Sequence, residues 1–254
     1  MIIDTHAHLY SKEFDIDRDA VVQRALDNGV TKMIIPGTKP EDSCKILDLC
    51  TKYPANCFPA LAVHPTDLAD DFRKQLKMLE QAVCNASYCA VGETGLDLYW
   101  DKTRFNEQKE AFIFHIELAS SLDLPLILHC RDAFEPMMEI LTAYKKSNTR
   151  GVFHCFTGNA EQAKQIEDLG FLIGIGGVVT FKKSDLKYTL HEIGLNNVVL
   201  ETDCPYLAPV PYRGKRNEPA YLVNVVDFLS NELQIPTEQV KSITSENATK
   251  MFDL

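Results

Sequence analysis

Short runs rich in β-branched and aliphatic residues alternate along the chain with longer stretches in which apolar side chains recur at helical spacing. Eight such runs are present, roughly Ile2 to Thr5, Thr31 to Ile35, Phe58 to Val63, Tyr88 to Gly92, Pro125 to His129, Gly151 to His154, Phe171 to Ile175 and Val198 to Glu201. Their starts recur about every 20 to 36 residues, the length of one strand-helix-strand unit. This alternation predicts a parallel sheet with crossover helices. The intervening stretches carry helix punctuation. Asp17 stands where it can cap a helix through Val21, Val22, Ala25 and Leu26 that stops at Gly29. A second helix spans about Arg104 to Leu122, with Ala111, Phe112, Ile116 and Ala119 on one face, and Pro125 opens the next strand.

Eight strand-helix units in 254 residues predict an α/β protein with a TIM-type (β/α)8 barrel, one domain over residues 1–254. A doubly wound open sheet would usually want a glycine-rich first turn. No G-x-G-x-x-G or Walker A sequence is present, and Gly174, Gly176 and Gly177 read as a tight strand-to-helix turn. The chain is 45% hydrophobic, enough for one large core without staples. No linker or low-complexity segment divides it.

Composition narrows the function. Twenty-six basic against 36 acidic residues give a net charge of −10, so the surface as a whole repels nucleic acid and anionic membranes, and a polyanionic substrate needs local capture. The eight cysteines include no C-x-x-C pair and read as reduced thiols. There is no basic leader followed by a long apolar segment, and no stretch of about 18 apolar residues to span a bilayer, so a cytoplasmic location is the expectation, with a monomer as the default state.

Catalytic side chains of such barrels come from the carboxyl ends of strands. Five of the seven histidines fall there: His6, His8, His64, His129 and His154. Allowing ~4 residues per strand end, random scatter would place roughly one histidine in that ring, so the excess argues for a site. Glu93 and Asp203 join the ring. Strand alternation puts His6 and His8 on one side, where two imidazoles can share one ion. The same alternation turns Cys130, Cys155 and Cys204 away into packing. His115 and His191 fall on helices and read as packing or surface residues. Four histidines and two carboxylates exceed what one hydrolytic ion takes, which suggests two ions sharing a carboxylate; Mg, Mn, Zn and Fe all remain open.

These residues resemble the TatD family of metal-dependent deoxyribonucleases, within the amidohydrolase-like barrel superfamily, over essentially the whole chain. The motifs recur in order: Asp4-Thr5-His6-Ala7-His8, Val63-His64-Pro65, Gly92-Glu93-Thr94-Gly95-Leu96-Asp97, Leu128-His129-Cys130-Arg131, His154-Cys155-Phe156-Thr157-Gly158, Glu201-Thr202-Asp203 with Pro205-Tyr206-Leu207, the Arg213-to-Pro219 segment, and Asn247. The resemblance implies that His6, His8 and Asp203 bind one divalent ion, that His129 and His154 bind a second, and that Glu93 bridges them, with His64 contacting substrate. It also implies removal of nucleotides from single-stranded DNA, often from the 3′ end, and in some members action on RNA. Ala62, Thr66 and Leu98 depart from the common pattern, which leaves the ligands intact but bears on substrate preference.

A water activated by the two ions is the expected nucleophile, with Asp203 as proton acceptor beside Glu93. Glu201, two residues before Asp203, either orients a histidine or forms an ordinary buried ion pair. For substrate capture, Arg213, Lys215 and Arg216 form a basic cluster after the last strand, either a phosphate-binding loop or a solvated segment. Tyr99 and Trp100 either stack a terminal base or pack the loop, and Arg131 either clamps a phosphate or pairs with an acid. The alternative function is a small-molecule amidohydrolase or esterase on the same scaffold.

Overall fold

A computed structural model describes residues 1–145 and 149–254. Eight parallel strands pair in sequence order: β1 (Ile2–Asp4), β2 (Val30–Gly37), β3 (Cys57–Leu61), β4 (Ala90–Asp97), β5 (Leu126–Arg131), β6 (Gly151–Phe153), β7 (Phe171–Ile175) and β8 (Val198–Leu200). Each strand is followed by at least one helix, α1 (Arg18–Asp27), α2 (Ser43–Lys52), α3 (Phe72–Asn85), α4 (Phe105–Ser121), α5 (Phe134–Ala143), α6 (Ala160–Asp168), α7 (Leu186–Ile193) and α8 (Leu222–Leu233), with α9 (Thr237–Phe252) at the end. The chain is a TIM-type barrel. β8 and β1 close it through their extensions: Leu200 O accepts from Thr5 N at 2.9 Å, His6 O from Asp203 N at 2.9 Å, and Cys204 O from His8 N at 2.9 Å.

Two apolar layers hold the barrel. The larger lies between the strands and the helices and includes Ile2, Ile35, Val91, Phe112 and Leu128. The smaller takes about one residue per strand, Ile3, Ile34, Ala60, Ala90, Ile127, Val152, Leu172 and Val199, and is joined by Ala248, Met251 and Phe252 of α9. Because side chains alternate along a strand, neighbours of one layer belong to the other, as Ile2 and Ile3 do. α9 thus plugs one end of the barrel, and Asn247 fixes it by donating to the carbonyls of Leu195 and Val198. The opposite end is left for polar side chains.

Some local expectations are corrected. Asp17 sits at the N-cap of α1 but makes no side-chain cap bond; its carboxylate instead pairs with Arg216 and Arg24. Gly29 does end that helix region, at φ 79°. β4 runs to Asp97 rather than stopping at Gly92, and a register shift between Gly92 and Thr94 leaves Glu93 as the extra residue, a bulge that re-aims its side chain. Gly174 is not in a turn. It lies within β7, where a Cβ would run into Glu201 Oε2, so the missing side chain makes room for that carboxylate.

Candidate metal centre

The carboxyl ends of the strands bring the donors together around Glu93, which is 4% exposed. Its Oε2 faces His6 Nε2 at 3.1 Å and His8 Nε2 at 3.5 Å. Its Oε1 faces His154 Nε2 at 2.8 Å, His129 Nδ1 at 3.1 Å and His64 Nε2 at 3.3 Å. Asp203 Oδ1 stands 3.8 and 3.5 Å from the Nε2 atoms of His6 and His8. The two carboxylate oxygens of Glu93 therefore divide between two groups of imidazoles. Among the described residues three clusters have donor atoms within 4.8 Å of one another: His6, His8 and Asp203; His64, Glu93 and His129; and His6, Glu93 and His154, which spans the two sides.

The partners on the far ring nitrogens show which lone pairs are free. His8 Nδ1 lies 3.0 Å from the Pro36 carbonyl, which only accepts, so Nδ1 carries the proton and Nε2 offers its lone pair. His129 Nε2 lies 2.9 Å from Asp97 Oδ2, which leaves Nδ1 as the lone pair toward Glu93. His64 is the reverse case. Its Nδ1 accepts from the Thr66 N–H at 3.2 Å, so neutral His64 carries its proton on Nε2 and is a hydrogen-bond donor into the site. The Nε2 atoms of His6 and His8 lie 3.1 Å apart, and that of His6 is also 3.1 Å from Glu93 Oε2, a close group of donor atoms that a shared cation would suit.

Charge in the cluster is tightly balanced. Burial works to raise the Glu93 carboxyl, but His154, His64 and His6 overcome it and hold it well below the usual glutamate value. Asp203 is lowered too, burial being outweighed by His8, His6 and His154. Burial works to lower His154, but Glu93 and Glu201 drive it well above the usual value. His8 and His129 are raised against burial by their carboxylate neighbours, and His6 is lowered, chiefly by burial and by His154.

Glu201 backs the ring. It is 1% exposed, accepts from the Cys155 N–H through Oε1 at 2.5 Å, and places that oxygen 3.6 Å from His154 Nδ1. His154 Nδ1, His6 Nδ1 and Glu201 Oε2 are buried without a hydrogen-bond partner. Asp4 and Asp97 were not among the expected site residues. Asp4 accepts from the N–H groups of His6 and Thr202 and from the Thr202 hydroxyl, bracing the β1–β8 seam beneath His6 and Asp203. Burial, opposed by these bonds, pushes its carboxyl up to about 7. Asp97 lies four residues beyond Glu93 on the same strand, past the bulge, and its place as the last residue of the Gly92-to-Asp97 motif was the signal available for it.

A cavity of about 610 Å³ opens onto the ring, bordered by His64, Arg131, Thr157 and Tyr206 among others. Arg131 is the basic residue on its wall; Arg213, Lys215 and Arg216 are not. Arg216 corrects the expected capture loop, because its guanidinium is already held by both Asp17 oxygens, at 2.8 and 2.7 Å, and by the Glu13 carbonyl at 2.7 Å. Arg213 lies 3.9 Å over the Phe181 ring and Lys215 5.9 Å from that of Tyr212. Tyr99 and Trp100 stand exposed beside Arg131 rather than in the wall. The cysteine expectation holds for Cys204, which is buried, and fails for Cys155. β6 has ended before that residue, and at φ 48° strand alternation no longer applies, so Cys155 borders the cavity, as does Cys130. His115 is a packing residue, its Nε2 accepting from Val63 N–H at 3.1 Å, and His191 is exposed. Among the described residues, no helix is long and apolar enough to cross a membrane.

Comparison with known proteins agrees with this geometry. The family description "TatD related DNase" matches residues 3–253. A Bacillus subtilis protein named as the uncharacterized metal-dependent hydrolase YabD is 36% identical over 253 residues, 99% of each chain. A Pectobacterium parmentieri protein named 3′-5′ ssDNA/RNA exonuclease TatD is 33% identical over 262 residues, covering all of both chains. The crystal structure of YjjV, a TatD homologue from Escherichia coli, superposes with a TM-score of 0.93 at 32% identity, covering 100% of this chain and 98% of the other.

Proposed function

Because the chain belongs to the TatD-related DNase family of metal-dependent hydrolases, we propose that it removes nucleotides from the 3′ end of single-stranded DNA, and of RNA, with two divalent ions held by His6, His8 and Asp203 on one side and His129 and His154 on the other. The observation that carries this reading is the division of the two Glu93 oxygens between two sets of imidazole nitrogens. The residues fit such a pair: carboxylates held ionised, and ring nitrogens of His8 and His129 whose lone pairs face the site because their other nitrogens are bound to Pro36 and Asp97. Mg, Mn or Zn suits this donor set. When bound, the ions supply Lewis acidity and a water of lowered pKa.

The chain's own residues supply the rest. Asp203, ionised and 15% exposed at its side chain, accepts the proton of the attacking water. His64 donates its Nε2 proton to a phosphate oxygen. Arg131, exposed on the cavity wall, holds a second phosphate, and Tyr99 and Trp100 stack a base at the strand end. Arg131 gives local attraction on a chain whose net charge is −10.

The experiment strips the metal, restores Mg, Mn or Zn singly, and follows 3′-labelled and 5′-labelled single strands beside a panel of small esters and amides. Metal-dependent release of nucleotides from the 3′ end is the expected result. Turnover confined to esters or amides would transfer the protein to the small-molecule reading.

The proton balance makes a second expectation. In the metal-free protein His8, His129 and His154 have folded values raised above 6.5, so their contribution to stability is fully present below 6.5 and is lost as pH rises through the raised values. Asp4, raised from 3.8 to about 7, acts in the same direction over that lower window. The Tm of chelated protein should therefore fall as pH rises above 6.5, where the lowered His6 and His115 no longer change charge, while affinity for added metal rises as the protons leave. A chelated Tm that climbs over this range contradicts the assignment.

A further inference from the structure

Outside the ring of ligands, the carboxylate of Asp97 is shared between two places. Asp97 ends β4 and is 1% exposed. Its Oδ2 accepts from His129 Nε2 at 2.9 Å, while its Oδ1 accepts from the backbone N–H groups of Tyr99 and Trp100 at 2.9 and 3.0 Å. Gln108 of α4 clamps the Asp97 backbone, accepting from its N–H at 2.9 Å and donating to its carbonyl at 3.0 Å. A carboxylate is planar, so a change of angle at one oxygen is felt at the other. One oxygen sets the tautomer and aim of His129, whose Nδ1 lies 3.1 Å from Glu93. The other sets the turn that carries the aromatic pair.

That pair is a platform. Tyr99 is 53% and Trp100 68% exposed, and their rings meet edge to face at 5.1 Å. The Arg131 guanidinium lies 3.9 Å over Tyr99 and 5.5 Å from Trp100, and the Arg131 carbonyl accepts from the Leu98 N–H at 2.9 Å. Arg131 in turn borders the central cavity.

We propose that Asp97 is a positioning residue that couples occupancy of the divalent-ion site at His129 to the geometry of the Tyr99–Trp100–Arg131 platform, on which the terminal base of a single strand stacks. This rests on the reading of His129 as a metal ligand and of the platform as facing nucleic acid. A cation on Nδ1 fixes the imidazole and strengthens its Nε2–H as a donor, which orders the Asp97 carboxylate and, through its other oxygen, the Tyr99 and Trp100 amides. Linkage is reciprocal: a strand seated on the platform tightens the ion by the same factor as the ion tightens the strand.

Trp100 is the only tryptophan, so its emission reports on the platform without a label. The full-length protein, stripped of metal, is titrated with Zn²⁺, and Trp100 emission and amide exchange at Tyr99 and Trp100 are followed. Thr103 is the control, because its N–H donates to Asp101 in the same loop and not to Asp97. Zinc should slow exchange at Tyr99 and Trp100 by about fivefold or more, with Thr103 little changed, and should tighten binding of a short oligothymidylate by a similar factor. In Asp97→Asn, compared at equal bound zinc by elemental analysis, the emission response and the zinc dependence of oligothymidylate binding should both vanish. Wild-type exchange at Tyr99 and Trp100 that ignores zinc overturns the coupling, and so does a wild-type response in zinc-loaded Asp97→Asn. The wild-type comparison needs no variant, so misfolding of Asp97→Asn does not shelter the proposal. A protein that responds to zinc but releases no nucleotide loses the nuclease reading and keeps the coupling. One that cleaves without the zinc response keeps the reading and loses the coupling.

Discussion

Glu93→Gln should lose both the second ion and nearly all turnover. The amide keeps the size of the carboxylate but replaces one oxygen with an NH₂ group that has no lone pair to offer. Whichever way it turns, one of the two imidazole groups now faces a donor where it had an acceptor at 3.1 or 2.8 Å. The negative charge at the centre of the ring is lost as well, which weakens the attraction for any cation there. Metal chemistry of this kind supplies several kcal/mol to the barrier, so kcat/KM should fall about a thousandfold or more. Elemental analysis beside the labelled-strand assay checks it. A variant that keeps both ions and turnover within about tenfold removes Glu93 from the centre of the mechanism.

Asp203→Asn separates ligation from proton transfer. Asp203 sits at φ 55°, a left-handed conformation that asparagine tolerates and that alanine would strain, so Asn is the substitution that leaves the backbone in place. It keeps one oxygen near His6 and His8 and loses the basic site. Turnover should fall by about a hundredfold or more, the scale of a lost general base, with both ions still bound. Retained turnover rules out Asp203 as the proton acceptor, and loss of the first ion together with activity reassigns it to ligation alone.

Much of this architecture is legible before folding, because the signals are local. Aliphatic runs and helical spacing mark eight strands in order, and His6, Glu93, His129, His154 and Asp203 betray themselves by falling at strand ends. What the pattern hides depends on long-range partners. Arg216 looks like a free cation in a basic loop, but its partner Asp17 lies 199 positions away, and the same contact removes Asp17 from its apparent cap. Asp97 falls beyond the strand end expected at Gly92, but β4 stays paired as far as Asp97 opposite Arg131, which brings its carboxylate beside His129. Cys155 obeys strand alternation on paper and escapes it in space, because the backbone has already turned at φ 48°. His64 shows the finer limit: the sequence marks it as part of the site, and only the Thr66 N–H on its Nδ1 identifies it as a donor.

The account stands on two cations seated either side of Glu93. Anomalous diffraction from crystals grown with Mn²⁺ locates them directly. Two peaks are expected, one among His6, His8 and Asp203 and one between His129 and His154, each adjacent to a different Glu93 oxygen. A single peak, or density that avoids Glu93, would contradict it.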